Sequence, residues 1–157
     1  MRIDPGSYPP TALLGRTGLE LFPNRFSPVG MLAGLWLYHG DLDASHRVSQ
    51  ELETAEGSFW HGIMHRREPD PGNASYWFRR TGKHPVFPAL RQRVAELVAA
   101  HGEIHFELKA EWDPFAWIDF WERARRRTES REYVLALQIQ EAEWEVLFEY
   151  CARPIKR

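Results

Sequence analysis

Cysteine is nearly absent from this sequence, with Cys151 alone among 157 residues. A lone thiol excludes an intrachain disulfide and reads toward a reducing compartment. Beside Phe148, Tyr150 and Ala152, it reads as a small buried hydrophobe rather than a nucleophile. Long apolar runs are also missing. The longest, Val29 to Tyr38, is ten residues, against about 20 for a membrane span. Nor is there an excess of positive charge: 20 lysines and arginines face 22 acids, for a net −2. A protein held to nucleic acid by charge carries a basic footprint, and RNA binding by aromatic stacking relies on the same help. The stretch Met1-Arg2-Ile3-Asp4-Pro5-Gly6 has no apolar segment before a small-residue cleavage site, so no secretory leader is expected. Gly-rich phosphate loop, G-x-S-x-G elbow and C-x-x-C pair are all lacking, which removes support for nucleotide, hydrolase-elbow and dithiol chemistry. The expectation is a soluble, cytoplasmic protein with neither nucleic acid nor membrane as partner.

Aromatics and histidine are plentiful. Seven Trp, nine Phe and five Tyr make up 13% of the chain, beside seven His. Disordered chains lack aromatics, and a chain this long buries roughly 68–70% of its unfolded surface without a disulfide or metal staple. Residues 1–27 carry Pro5, Pro9, Pro10 and Pro23 with Gly6, Gly15 and Gly18. They predict an extended arm lying over the domain through leucines and Phe22.

From residue 28 onward the punctuation is helical. Ser27-Pro28, Asp70-Pro71 and Asp113-Pro114 are N-cap plus N1 pairs. Asp41 and Thr54 are further caps, Pro88 opens another helix, and Gly82 and Gly102 are stop signals. Residues 132–152 alternate like a strand at first but run about twenty residues without Gly or Pro, too long for a strand. Tyr133, Leu137, Trp144 and Phe148 form one helical stripe and Leu135, Ile139, Ala142 and Val146 another opposite it, predicting a central helix buried on two sides. The expected fold is all-α, a single-domain bundle of about six to seven helices over 28–157 behind the arm 1–27. His101 and His105, flanking Gly102, read as loop residues.

Five of the seven histidines lie between positions 39 and 84. His61 and His65 are i,i+4 on the helix of residues 54–68, placing both imidazoles on one face about 6 Å apart. Glu68 follows on the same stripe. Two His plus a carboxylate is half of a divalent-metal site for Zn, Fe or Mn. It is not the zincin motif, because no glutamate follows His61 to act as base. Further ligands would come from His46, Asp43, Asp41, His39 or His84. Asp70, Asn73, Tyr76, Trp77, Arg79 and Arg80 form a second cluster on the next helix, which the short connection makes a spatial neighbour.

The leading expectation is a small-molecule enzyme or ligand-binding protein. In it His61, His65, Glu68 and Tyr76 carry the chemistry, and His46 joins His61, His65 and Glu68 around a metal. Asp43, His46, Asn73, Trp77 and Arg80 then bind and orient substrate. The competing expectation is a non-catalytic binding or assembly module, rich in the Trp, Tyr and Arg of protein interfaces. There the His/Asp/Asn cluster is a buried hydrogen-bond network, and a homo-oligomer is one form the module takes.

The stretch Gly57-Ser58-Phe59-Trp60-His61-Gly62-Ile63-Met64-His65-Arg66-Arg67-Glu68-Pro69-Asp70, followed by Asn73 to Arg80 and Gly82 to Phe87, resembles an uncharacterised bacterial family. Gly40 to His46 and Glu143 to Cys151 extend the likeness over about residues 35–152. The resemblance implies one whole domain with His61, His65 and Glu68 inside its signature, and it implies no particular reaction.

Overall fold

The computed structural model describes residues 2–155. Met1, in the expected arm, and Lys156 and Arg157, at the end of the expected domain, lie outside the described residues. The chain is all-helical. In order it runs through a 3₁₀ turn at Pro5–Ser7, α1 (Pro10–Leu13), α2 (Gly18–Leu21), α3 (Pro28–Tyr38), α4 (Leu42–Gln50), α5 (Ala55–Arg67), α6 (Pro71–Thr81), α7 (Phe87–His101), α8 (Pro114–Ala124) and α9 (Arg131–Cys151).

The described residues thus hold nine α-helices rather than six or seven, and the difference lies in the N-terminal segment. It is not extended throughout. Pro10 at N1 starts one helical turn, and a complete capping box between Thr17 and Glu20 starts another. Proline and glycine forbid a long helix here but permit single turns. A bridge between Arg25 and Pro154 ties the end of this segment to the chain's C-terminal end.

Helices α4, α5, α6 and α8 begin where side-chain oxygens satisfy free N–H groups. Asp41 accepts from Ala44 N at 2.9 Å, Thr54 from Gly57 N at 3.2 Å, Asp70 from Asn73 N at 3.0 Å and Asp113 from Phe115 N at 2.9 Å. Ser27 holds the N-cap position of α3 but makes no side-chain cap bond. Gly82 and Gly102 end α6 and α7 with φ of 63° and 70°, a region that costs any other residue a Cβ clash. Residues 131–151 form one helix, so the early alternation was a helical stripe read at short range. His101 is not a loop residue: it ends α7, and its Nε2 lies 2.7 Å from Gln138 Oε1 on α9.

Helices α3 and α5 are the enclosed ones. Every residue from Gly30 to Leu37 is buried, as is every residue from Glu56 to Met64. Helix α9 was expected to be buried on two sides, but its stripe of Tyr133, Leu137 and Trp144 is only partly covered, with Leu137 42% exposed. Helix α5 lies against α4 and α6, α3 against α4 and α9, and α8 against α6 and α9. The Ser45 hydroxyl donates to the Ala33 carbonyl at 2.9 Å, seating α4 on α3.

Two buried polar pairs cross this core, one of them an ion pair. Arg66 on α5 forms two bonds to Glu143 on α9, of 3.1 and 2.5 Å, with both side chains wholly inaccessible. The guanidinium also lies 4.7 Å from the centre of the Trp117 ring. On the far side of α5, His84 meets Glu56 at 3.1 Å while its Nδ1 accepts from Val86 N at 3.3 Å. An accepting Nδ1 leaves the proton on Nε2, so His84 is the neutral tautomer donating to Glu56. Cys151 is fully buried, and burial pushes its thiol up to about 12, so it is inert as a nucleophile at neutral pH. No helix among the described residues is long and apolar enough to cross a membrane.

Candidate metal centre

Two helices bring three histidines together. His46 comes from α4, whose start is set by the Asp41 cap, and His61 and His65 come from successive turns of α5. The rings of His46 and His61 are 4.6 Å apart edge-to-face, those of His61 and His65 are 5.0 Å apart and stacked, and His46 and His65 are 5.6 Å apart. One nitrogen of each lies within 4.8 Å of the others. Tetrahedral zinc with Zn–N bonds of 2.0–2.1 Å requires nitrogens about 3.4 Å apart, so small ring rotations close the group on an ion.

A third helix supplies a wall. Trp77 of α6 stacks on His61 with ring centres 3.7 Å apart and planes 12° from parallel. Arg80, one turn on, places its guanidinium 5.4 Å from the Trp77 ring and 5.8 Å from the Tyr76 ring. The proximity of α5 to α6 reflects Gly62, where a Cβ would sit 2.8 Å from the Phe78 ring.

His65 and Glu68 are joined at 2.7 Å through Nδ1 and Oε2. An ionised carboxylate can only accept, so Nδ1 carries the proton and Nε2 keeps its lone pair for a metal. Glu68 therefore stands behind His65, not beside His46 and His61 as a fourth ligand. It groups instead with His65 and Asp70. His61 is 2% exposed, and its Nδ1 is buried without a hydrogen-bond partner among the described residues. Burial, then the neighbouring His46 and His65, push its pKa down to about 3, so the imidazole is neutral near pH 7. At that value His61 does not change protonation state near neutrality, which differs from the expectation that it acts there as an acid–base group.

The other expected ligands go elsewhere. His39 Nε2 lies 2.7 Å from the Tyr8 carbonyl, Asp41 caps α4, and His84 belongs to the Glu56 pair behind the site. Asp43 is exposed in the first turn of α4, outside the histidine group. Asn73 gives its amide to Asp70 at 2.8 Å, which with the backbone bond holds the Asp70 carboxyl below its usual range. Tyr76 is 45% exposed, and its hydroxyl accepts from Arg80 at 3.5 Å. Arg79 is exposed at the end of α6. The expected shared pocket takes a different form: a cavity of about 410 Å³ does adjoin α5, but on its opposite side, lined by Ile63 and Arg67.

Sequence reasoning missed Arg66, Glu143 and Glu56 as buried charges. The one available signal was Glu143 standing between Ala142 and Val146 of an apolar stripe.

The state of His61 has a measurable consequence in metal-free protein. Unfolded, His61 takes a proton near its ordinary 6.5; folded, only near 3. Between those values the unfolded chain binds more protons, so stability is full above 6.5 and falls as the pH drops. Glu56, whose carboxyl the His84 hydrogen bond holds below its ordinary 4.5, adds a loss of the same sign only below that value. In a chelating buffer the urea midpoint is expected to fall from about pH 7 to about pH 5, and His61→Phe should flatten that slope. Equal slopes in the two proteins would contradict the assignment.

No family model, curated protein or solved structure matches this chain.

Proposed function

We propose that this protein binds a divalent transition metal through His46, His61 and His65 and uses it on a small-molecule ligand. The observation that carries the reading is His61, a buried, neutral imidazole with an unpartnered Nδ1 in contact with two further histidines. Buried polar atoms normally find partners, and neutral imidazole is the form that binds metal. Glu68 orients His65, the arrangement by which a carboxylate fixes a ligating ring. Three histidines leave a fourth position for water or substrate, where Zn, Fe or Mn would polarise an oxygen or lower the pKa of water. Trp77, stacked on His61, would border that position, and Tyr76 and Arg80 beside Trp77 would orient the ligand. A cytoplasmic location and membership of the bacterial family sharing the 57–87 signature belong to this same proposal.

Metal content of untagged protein and a competitive Zn titration test it. One equivalent is expected, and His61→Ala should weaken binding by at least about a hundredfold. Glu68→Gln is expected to weaken it by about 10–100-fold while His61 and His65 remain in place. The alternative is a structural cluster in a non-catalytic module, favoured by the packing of His61 on Trp77 as an aromatic ring. Its outcome is distinct: no metal bound by wild type, and a loss of more than about 3 kcal/mol in the His61→Ala, His65→Ala double variant.

A further inference from the structure

On the side of α5 away from the histidines, α3, α5, α9 and residues near the N-terminus line the half-open cavity of about 410 Å³. Small-molecule sites occupy about 300–1,000 Å³ and combine apolar walls with a few polar groups. Here the apolar wall is Leu137, Trp144 and Phe148 of α9 with Tyr38 of α3. Trp144 and Phe148 stack with centres 4.6 Å apart, and the Trp144 indole is held by its N–H donating to the Gly34 carbonyl at 2.8 Å. The rings are therefore fixed before any ligand arrives.

The polar groups are unbalanced in a specific way. Arg67 enters from α5, partly buried, and donates one N–H to the Leu37 carbonyl at 2.8 Å. No carboxylate among the described residues lies within ion-pair distance of it. Gln140 of α9 also lines the cavity, and its Oε1 is buried and accepts no hydrogen bond among the described residues, so the amide loses no bond at that oxygen on rotating it toward the cavity. Glu145 is taken by Arg93 at 2.7 Å and Glu149 by Arg2 at 3.2 Å, whereas Glu141 has no such pair among the described residues. The cavity thus offers a cation on one wall and an acceptor with a carboxylate on the other, too far apart to satisfy each other.

We propose that this cavity binds a small zwitterion of the α-amino-acid class with an apolar or aromatic side chain. The ligand carboxylate pairs with the free donors of Arg67, a charge-assisted contact that suits a guanidinium fork. Its ammonium faces Glu141 and, once the Gln140 amide rotates, donates to Gln140 Oε1, and its side chain lies on Trp144, Phe148 and Leu137. Residues 137, 140, 141, 144 and 148 follow one stripe of α9, so a single helix face carries both the recognition of the ammonium and the apolar bed. This site shares no residue with the histidine group, and its test is independent of metal.

Isothermal titration with L-phenylalanine, L-tryptophan and L-leucine, set against phenethylamine and 3-phenylpropionate, decides it. At least one amino acid is expected to bind, with both singly charged analogues at least about tenfold weaker. Gln140→Met and Glu141→Gln, which leave the cavity's volume and the fold intact, should each weaken that binding by about tenfold with an unchanged circular dichroism spectrum. The proposal is overturned if none of the three amino acids binds up to about 10 mM, or if the amine or the acid binds as tightly as the zwitterion. It is equally overturned if both α9 variants bind like wild type.

Discussion

Glu143→Ala is expected to destabilise the fold by about 3–5 kcal/mol, because it leaves the Arg66 guanidinium buried without its anion. Both side chains are wholly inaccessible, so water cannot replace the lost partner. The remaining contacts do not compensate. Arg66 Nε already lacks an acceptor, and the Trp117 ring beneath the guanidinium gives only about 2 kcal/mol or so when desolvated. Trp117 Nε1, 3.4 Å from Glu143, would lose its acceptor as well. The pair links α5 to α9, so its loss loosens the helix that carries His61 and His65 on one face and Arg67 on another. Removing both charges together, as Arg66→Met with Glu143→Leu, should recover most of the loss, since an apolar pair of similar volume needs no solvation. Urea unfolding of the three proteins reads this directly. A single variant within about 1 kcal/mol of wild type would show that the pair does not hold the two helices together.

Gly57→Ala should cost about 3 kcal/mol and, unlike the first change, should also disable the proposed metal site. A Cβ at Gly57 would overlap the carbonyl oxygen of Leu52, which is backbone and cannot rotate aside. Leu52 lies in the short link between α4 and α5, so relief requires the two helices to part at that end. His46 is on α4 while His61 and His65 are on α5, so the displacement falls on the three-histidine group. Zinc affinity is therefore expected to drop by at least about tenfold in protein that is still folded at room temperature. The control is Gly72→Ala, where the nearest atom to a new Cβ is an Asp70 carboxylate oxygen at 3.6 Å, an ordinary contact. That variant should keep both stability and metal binding. Gly57→Ala protein with wild-type zinc affinity would separate the α4–α5 link from the site.

Helix boundaries were the most legible feature, because they rest on local chemistry. Asp41, Thr54, Asp70 and Asp113 each cap within three residues of their own position. The pairing of His61 with His65 was equally readable, being a matter of helical pitch. His46 was the residue expected to join them, but the spacing of α4 and α5 alone gave no geometric reason to prefer it to His39, Asp43 or His84. That ranking depends on which face α4 turns to α5, set in part by Ser45 bonding to Ala33 on α3.

Sequence by itself determined that the chain is helical, where most of its helices start and stop, and that two histidines and a glutamate share one face of α5. Those are properties of residues within four positions of one another, where geometry is dictated by the backbone. Tertiary structure alone decided that His46 completes the group, that Glu68 stands behind His65, and that His61 is buried and neutral. It also decided that Arg66 finds Glu143 across 77 positions of sequence, and that the open stripe of α9 lines a cavity with Arg67. Each of these depends on desolvation and on contacts between helices, and neither has a period that a sequence can display.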